Sequence, residues 1–189
     1  MAVSSTMLPL GTKAPDFRLP DTRTGKSVSL GDFSPAPAFL AVFTCNHCPF
    51  AMHVRNAMVT LIKEYQAKGL AAVGISANDV GSHPQDGPAE MAKVAAAAGF
   101  TFPYLYDESQ DVARAYHAAC TPDFFLFDKS RQLVYRGQMD SSRPGNGVPL
   151  TGADLRAALD AVVEGRPVSG EQKPSIGCGI KWKPGKQPD

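Results

Sequence analysis

The sequence predicts a three-layer α/β sandwich: a central mixed sheet flanked by helices, with an N-terminal β extension and an irregular C-terminal tail. Three observations predict it. Two short apolar runs, "PAFLAVFT" (37–44) and "LAAVGISA" (70–77), are continuous rather than alternating, as expected of strands covered on both faces. Between them, Phe50, Val54, Ala57, Met58, Leu61, Ile62 and Tyr65 recur at spacings of three and four, which is one face of a helix closed by Gly69. Further on, "DFFLFD" and "QLVYRGQ" flank the turn "KSR" and read as a β-hairpin.

The remaining elements fit around that frame. The first thirty residues read as turns and short strands, "APDFRLP" and then "DTRTGKSVSL". "NDVGSHPQDG" is a polar loop, and Pro88 opens an Ala-rich helix that runs to Gly99. "FPYLYD" is a short extended piece, and "SQDVARAYHAA" is a short helix with Ser109 as its cap. "TGADLRAALDAVVEG" is a last helix with Thr151 as cap and Gly165 as stop. Residues 166–189 are rich in Pro, Gly and Lys and carry Cys178 and the one tryptophan, Trp182, which reads as an anchor for the tail. The order gives one domain over residues 1–165 and a C-terminal extension over 166–189, packed on the domain or trailing from it.

With 189 residues the chain is long enough to bury a core. A hydrophobic share of 43% and a charged share of 20% belong to an ordinary globular protein. The formal net charge of +1 offers no electrostatic footprint for nucleic acid or an acidic membrane. The start, "MAVSSTMLPLGTKAP", lacks a basic n-region and an apolar h-region, so the expected location is cytoplasmic. In that compartment a CxxC is more often redox-active or metal-binding than a structural bridge.

The stretch "FTCNHCPF" (43–50) carries the chemistry. With the strand ending at Thr44, Cys45 falls at the strand-to-helix junction, Asn46 is placed to cap the helix, and Pro49 occupies its first turn. Cβ atoms three apart on a helix are about 5–6 Å from each other. A disulfide wants about 3.5–4.5 Å, so a slightly distorted turn closes the bridge. So small a loop constrains the unfolded chain little, which suits a bond that opens and closes. Unpaired N–H groups of the first turn and the helix dipole favour a thiolate at Cys45, and His47 adds a hydrogen bond or positive charge. Cys45 is therefore expected to be the more exposed, attacking thiol and Cys48 the resolving one. No general base is placed: Asp79 and Glu64 are available, but nothing ties either to the site.

"GTKAPDFRLPD", "FLAVFTCNHCPF" and "CTPDFFLFD" together resemble the thioredoxin-fold superfamily in its redoxin branch, which includes the AhpC/TSA proteins. The likeness covers most of residues 10–165. It implies a thioredoxin-like sandwich, a cis peptide before Pro122, and docking of a substrate peptide on the backbone of Thr121. It also implies no cofactor beyond the Cys45–Cys48 disulfide. The implied partners are a disulfide-bearing protein or small-thiol substrate and an upstream thiol reductant, with a monomer as the favoured state. The tail "PSIGCGIKWKPG" resembles an extension in a subgroup of thiol-disulfide interchange-like proteins. Thr44 and the Asn46-His47 pair depart from the Trp and Gly-Pro usual in thioredoxins, and His before the second cysteine is similar to strongly oxidising disulfide oxidases.

The alternatives are a peroxidase and a metal carrier. Cys48-Pro49 matches the reactive cysteine of peroxiredoxins, but the hydroxyl expected three residues earlier is Cys45. Zinc wants further ligands at knuckle spacing, and Cys120, Cys178, His47, His53, His83 and His117 form no such set. Thioredoxin-fold copper carriers space their cysteines one residue wider, so a copper or zinc carrier is the weaker alternative. Cys120 and Cys178 are auxiliary redox candidates, each with the simpler reading of an inert thiol. The loop "RPGNG" lacks the Lys-Ser/Thr of a phosphate cradle.

Overall fold

The structure, a computed structural model, describes residues 2–188. In chain order the strands are β1 (Ala2–Ser4), β2 (Arg18–Pro20), β3 (Ser27–Ser29), β4 (Ala38–Phe43), β5 (Leu70–Ser76), β6 (Tyr104–Tyr106), β7 (Cys120–Thr121), β8 (Asp123–Phe127), β9 (Leu133–Gly137) and β10 (Ile176–Gly179). The α-helices are α1 (Pro49–Gln66), α2 (Pro88–Ala97), α3 (Asp111–Ala115) and α4 (Ala153–Val163). The main sheet runs β6-β5-β4-β8-β9, parallel on the β6-β5-β4 side and antiparallel from β4 to β9. This is a thioredoxin-like fold.

Every residue of β4 is buried, and the period of two divides them between two cores. Ala38, Leu40 and Val42 pack with Met58, Ile62, Leu155 and Leu159 beneath α1 and α4. Phe39, Ala41 and Phe43 pack on the other face with Tyr116, Phe125 and Phe127. This is the physical content of the continuous apolar run: a strand with no polar face has a core on each side. Gly69 ends the α1 connection at φ +96, and a Cβ there would lie 2.9 Å from the Pro37 ring.

Three helix starts differ from the sequence reading. The cap of α1 is Cys48, not Asn46, because the helix begins at Pro49. The cap position of the third helix is Gln110 rather than Ser109, since Gln110 takes a left-handed conformation (φ 66) and its buried amide donates to the Ala77 and Lys181 carbonyls. At α4 the cap position is Gly152, and it is the Asp140 carboxylate that accepts the Thr151 and Gly152 N–H groups, both at 2.6 Å.

The tail returns to the domain. Its strand β10 lies between β1 and β7 in a second, antiparallel sheet, with Cys178 opposite both Ala2 and Thr121. Beyond it, Lys181 N–H donates to Asn78, Asp79 N–H donates to Lys181, and Trp182 packs on the β4–α3 core. Among the described residues no helix is long and apolar enough to cross a membrane.

Candidate active site

Strand β4 ends at Phe43, and the next five residues carry the chain from the sheet to the N-terminus of α1. Cys45 and Cys48 lie in that turn and are both buried, at 1% and 0% exposure, so neither is the exposed thiol the sequence reading expected. They converge on one residue from far downstream. Cys45 Sγ is 3.3 Å from Thr121 Oγ1, and Cys48 Sγ is 3.1 Å from the Thr121 carbonyl, to which its thiol donates. The Thr121–Pro122 peptide is cis, as the resemblance implied.

One side of the pair is built by the loop after β5, read from sequence only as polar. Pro84–Asp86 forms a 3-10 turn that delivers Asp86, fully buried, beneath the CxxC. Its Oδ1 accepts the Asn46 N–H at 2.8 Å, and its Oδ2 accepts Asn78 Nδ2 at 2.7 Å and bonds His47 Nδ1 at 2.6 Å. Asn46, freed from capping, donates to the Gln85 carbonyl (2.8 Å) and accepts from the Tyr104 hydroxyl (3.2 Å). Arg55 closes the turn from α1 by donating to the Asn46 carbonyl at 2.9 Å. His47 therefore serves Asp86 first; the same Nδ1 stands 4.0 Å from Cys45 Sγ. His83 stacks on the His47 ring with centroids 4.8 Å apart, and burial holds its imidazole below the usual range.

The other side is built by β7 and the tail. Cys178 packs on the cluster of Cys45, Cys48, Ala51 and Phe50. The backbone of Thr121, expected to receive a substrate peptide, is paired in register with Cys178 of β10. That edge is taken by the protein's own tail. Cys120 is buried, and burial raises its thiol pKa far above the ordinary range. Asp123, in register with Phe43 on β4, is also buried; desolvation pushes its carboxyl up to about 8. Its Oδ1 has no hydrogen-bond partner.

These surroundings divide the two cysteines electrostatically. A thiol bond to Cys48, burial and then the nearby Asp86 carboxylate all raise the Cys45 pKa. Cys48 is lowered, first by the Cys45 thiol and then, against the opposing effect of burial, by the Cys178 thiol, the Thr121 side chain and the Ala51 N–H in the first turn of α1. The Thr121 carbonyl bond opposes this by holding a proton on Cys48, while the Asp86 carboxylate weighs against a charge on Cys45. The directions of the two shifts favour the first charge of the pair on Cys48. The helix effect invoked for Cys45 acts one turn further along, because the helix starts there.

Asp79 and Glu64 take no part. Each is held below the usual carboxylate range by partners of its own, the Gly81 N–H for Asp79 and Arg156 for Glu64. His53 bonds Ser142 at 2.8 Å. Cys45, His47 and Asp86 offer three donor atoms within 4.8 Å of one another, a metal-like grouping. Asp86 is already engaged by Asn46, His47 and Asn78, which suits orienting a loop better than binding an ion.

The profile of the AhpC/TSA family matches residues 10–136. The thiol-disulfide oxidoreductase ResA of Geobacillus thermodenitrificans is 32% identical over 130 residues, 68% of either chain. A putative peroxiredoxin of Mycobacterium tuberculosis is 31% identical over 114 residues, 60% of this chain and 67% of the other. Among solved structures, an uncharacterized conserved protein from Geobacillus kaustophilus superposes with a TM-score of 0.95 at 54% identity, covering 97% of both chains. The relatives place the chain among oxidoreductases at a general level, and it belongs to the AhpC/TSA family.

Proposed function

We propose that the protein is a thiol–disulfide oxidoreductase acting through the Cys45–Cys48 dithiol. The observation that carries this reading is the convergence of both sulfurs on Thr121, beside Pro122. In this proposal Cys48 attacks first and Cys45 resolves, the opposite order to the one expected from sequence, because the directions of the two shifts favour a thiolate on Cys48. The Cys48 thiolate attacks one sulfur of a substrate disulfide and expels the first substrate thiolate. Cys45 then attacks the Cys48 sulfur, forming the Cys45–Cys48 bond and expelling the second thiolate, which leaves with the Cys45 proton. The His47 Nδ1 position, fixed by Asp86, meets the charge that develops on Cys45. No cofactor beyond the dithiol is needed.

A second reading, a thiol peroxidase with Cys48 as the attacking sulfur, draws support from one feature. A hydroxyl that sequence spacing lacks is present in Thr121, whose Oγ1 lies 3.3 Å from Cys45 Sγ and whose side chain contributes to lowering Cys48. The two readings separate in one assay series. For the oxidoreductase, Cys48→Ser abolishes reduction of insulin or glutathione disulfide, and the double variant Cys45→Ser/Cys178→Ser, which lacks both thiols packed beside Cys48, accumulates a mixed disulfide on Cys48. Peroxide consumption that survives Cys45→Ser, with no disulfide exchange by the wild type, would establish the peroxidase instead.

A further inference from the structure

We infer that Cys178 is a third redox cysteine, which takes the disulfide from Cys45–Cys48 and carries it as a Cys48–Cys178 bond to the protein surface; this rests on the dithiol reading above.

The placement of Cys178 is specific. It stands opposite Thr121 in the ladder, the residue on which both buried sulfurs converge, and it packs on the Cys45–Cys48 cluster. A glycine lies on each side of it. A Cβ at Gly177 would fall 2.1 Å from the Thr121 carbonyl oxygen, so the strand presses against the loop more closely than any side chain permits. Both ends of the segment are tied down. Ser175 exchanges hydrogen bonds with Ser5, and Lys181 bonds Asn78 and Gln110. A tail serving only as a cover needs no thiol at this register.

Exposure then assigns the direction of transfer. Cys45, Cys48 and Cys120 are buried, whereas Cys178 is partly exposed. A reductant outside the protein therefore meets Cys178 before it meets the dithiol. In the transfer, the Cys178 thiolate attacks the Cys48 sulfur. The Cys48–Cys178 bond forms, the Cys45–Cys48 bond breaks, and Cys45 leaves as a thiolate that takes up the proton Cys178 lost. No electrons enter or leave, so no further oxidant is required. An external thiol then attacks the Cys178 sulfur, the accessible one of the two, and displaces Cys48 as the thiolate. A second external thiol completes the reduction, giving the three protein thiols and one small disulfide. In the reduced protein burial and then Cys48 raise the Cys178 thiol to about 11. The contributions from Cys48 end once that sulfur is in a disulfide, so Cys178 becomes more nucleophilic when it is needed.

The test uses the full chain. Wild type, Cys45→Ser and Cys178→Ser are oxidised with one equivalent of diamide, free thiols are blocked, and the bonds are mapped by mass spectrometry. The oxidised forms are then reduced with glutathione in a rate assay. The expected result is a Cys45–Cys48 bond in wild type and Cys178→Ser, a Cys48–Cys178 bond in Cys45→Ser, and reduction of Cys178→Ser slowed by about tenfold or more. If Cys45–Cys48 forms but Cys45→Ser yields no Cys48–Cys178 bond, or if Cys178→Ser is reduced at the wild-type rate, the relay is overturned and the dithiol reading stands. If wild type forms neither a Cys45–Cys48 nor a Cys48–Cys178 bond, both fall.

Discussion

Two buried aspartates lie near the dithiol, one on each side, and their surroundings have little in common. Asp86, on the loop side, is met by Asn46, His47 and Asn78. Asp123, on the tail side, has one oxygen without a partner and a long 3.4 Å bond from Ala119 N–H to the other. The loop side is a satisfied network, and such networks hold geometry. The tail side gathers the buried Cys120 thiol, the partly exposed Cys178 and a carboxyl that burial pushes up to about 8, with few hydrogen bonds among them. A dithiol between them has one flank bound in a hydrogen-bond network and another with a carboxyl oxygen left unpaired.

The largest expected effect is on the loop side. Replacing Asp86 by Ala removes a charged acceptor and strands at least three donors, so the variant should lose roughly 3–5 kcal/mol in denaturant unfolding. A loss below about 1 kcal/mol would mean that the network does not hold the turn.

On the tail side the expectation has the opposite sign. The folded Asp123 carboxyl is raised to about 8, so between about pH 4 and pH 8 the folded state keeps a proton that the unfolded chain has released. Its contribution is intact below that window and is lost as pH rises through it, by about 1.4 kcal/mol per unit. Asp123→Asn removes that dependence. Its stability advantage over wild type should widen from pH 4 to pH 8 and then level off, offset in part by a new amide with few partners. An advantage that does not change with pH would show that Asp123 is not a buried proton holder.

A smaller effect is expected where the tail meets Thr121. Gly177→Ala forces β10 away from the carbonyl it covers and should cost about 1–3 kcal/mol. Hydrogen exchange of the β1 and β10 amides should quicken in this variant, while α1 and β4 stay as they are. Equal protection in both proteins would mean that the contact is not what seats the tail.

Much of the fold was legible because its signals are local. The all-apolar β4, the α1 stripe and the β8–β9 hairpin each announce themselves within a few residues. The cysteines and Pro122 of the site were legible in the same way, by motif. The two flanks were not. Asp86 meets Asn46 across 40 residues of chain, and nothing in "SHPQDG" distinguishes a buried acceptor from a loop acid. The pairing of Cys178 with Thr121 is likewise long-range; the run Gly177-Cys178-Gly179, which allows close backbone approach, was its one local trace. A start of α1 later than expected moved the helix effect from Cys45 towards Cys48, which shows how far two residues of boundary error carry into chemistry.

The most direct test of the central claim is a single-turnover experiment. Reduced protein is mixed with glutathione disulfide or with hydrogen peroxide, quenched with an alkylating agent, and the state of each cysteine is read by mass spectrometry. The account predicts that glutathione disulfide is consumed mole for mole with formation of a Cys45–Cys48 bond, through a transient glutathione adduct on Cys48. A protein that leaves glutathione disulfide untouched, and instead accumulates sulfenic acid on Cys48 with peroxide, would contradict it.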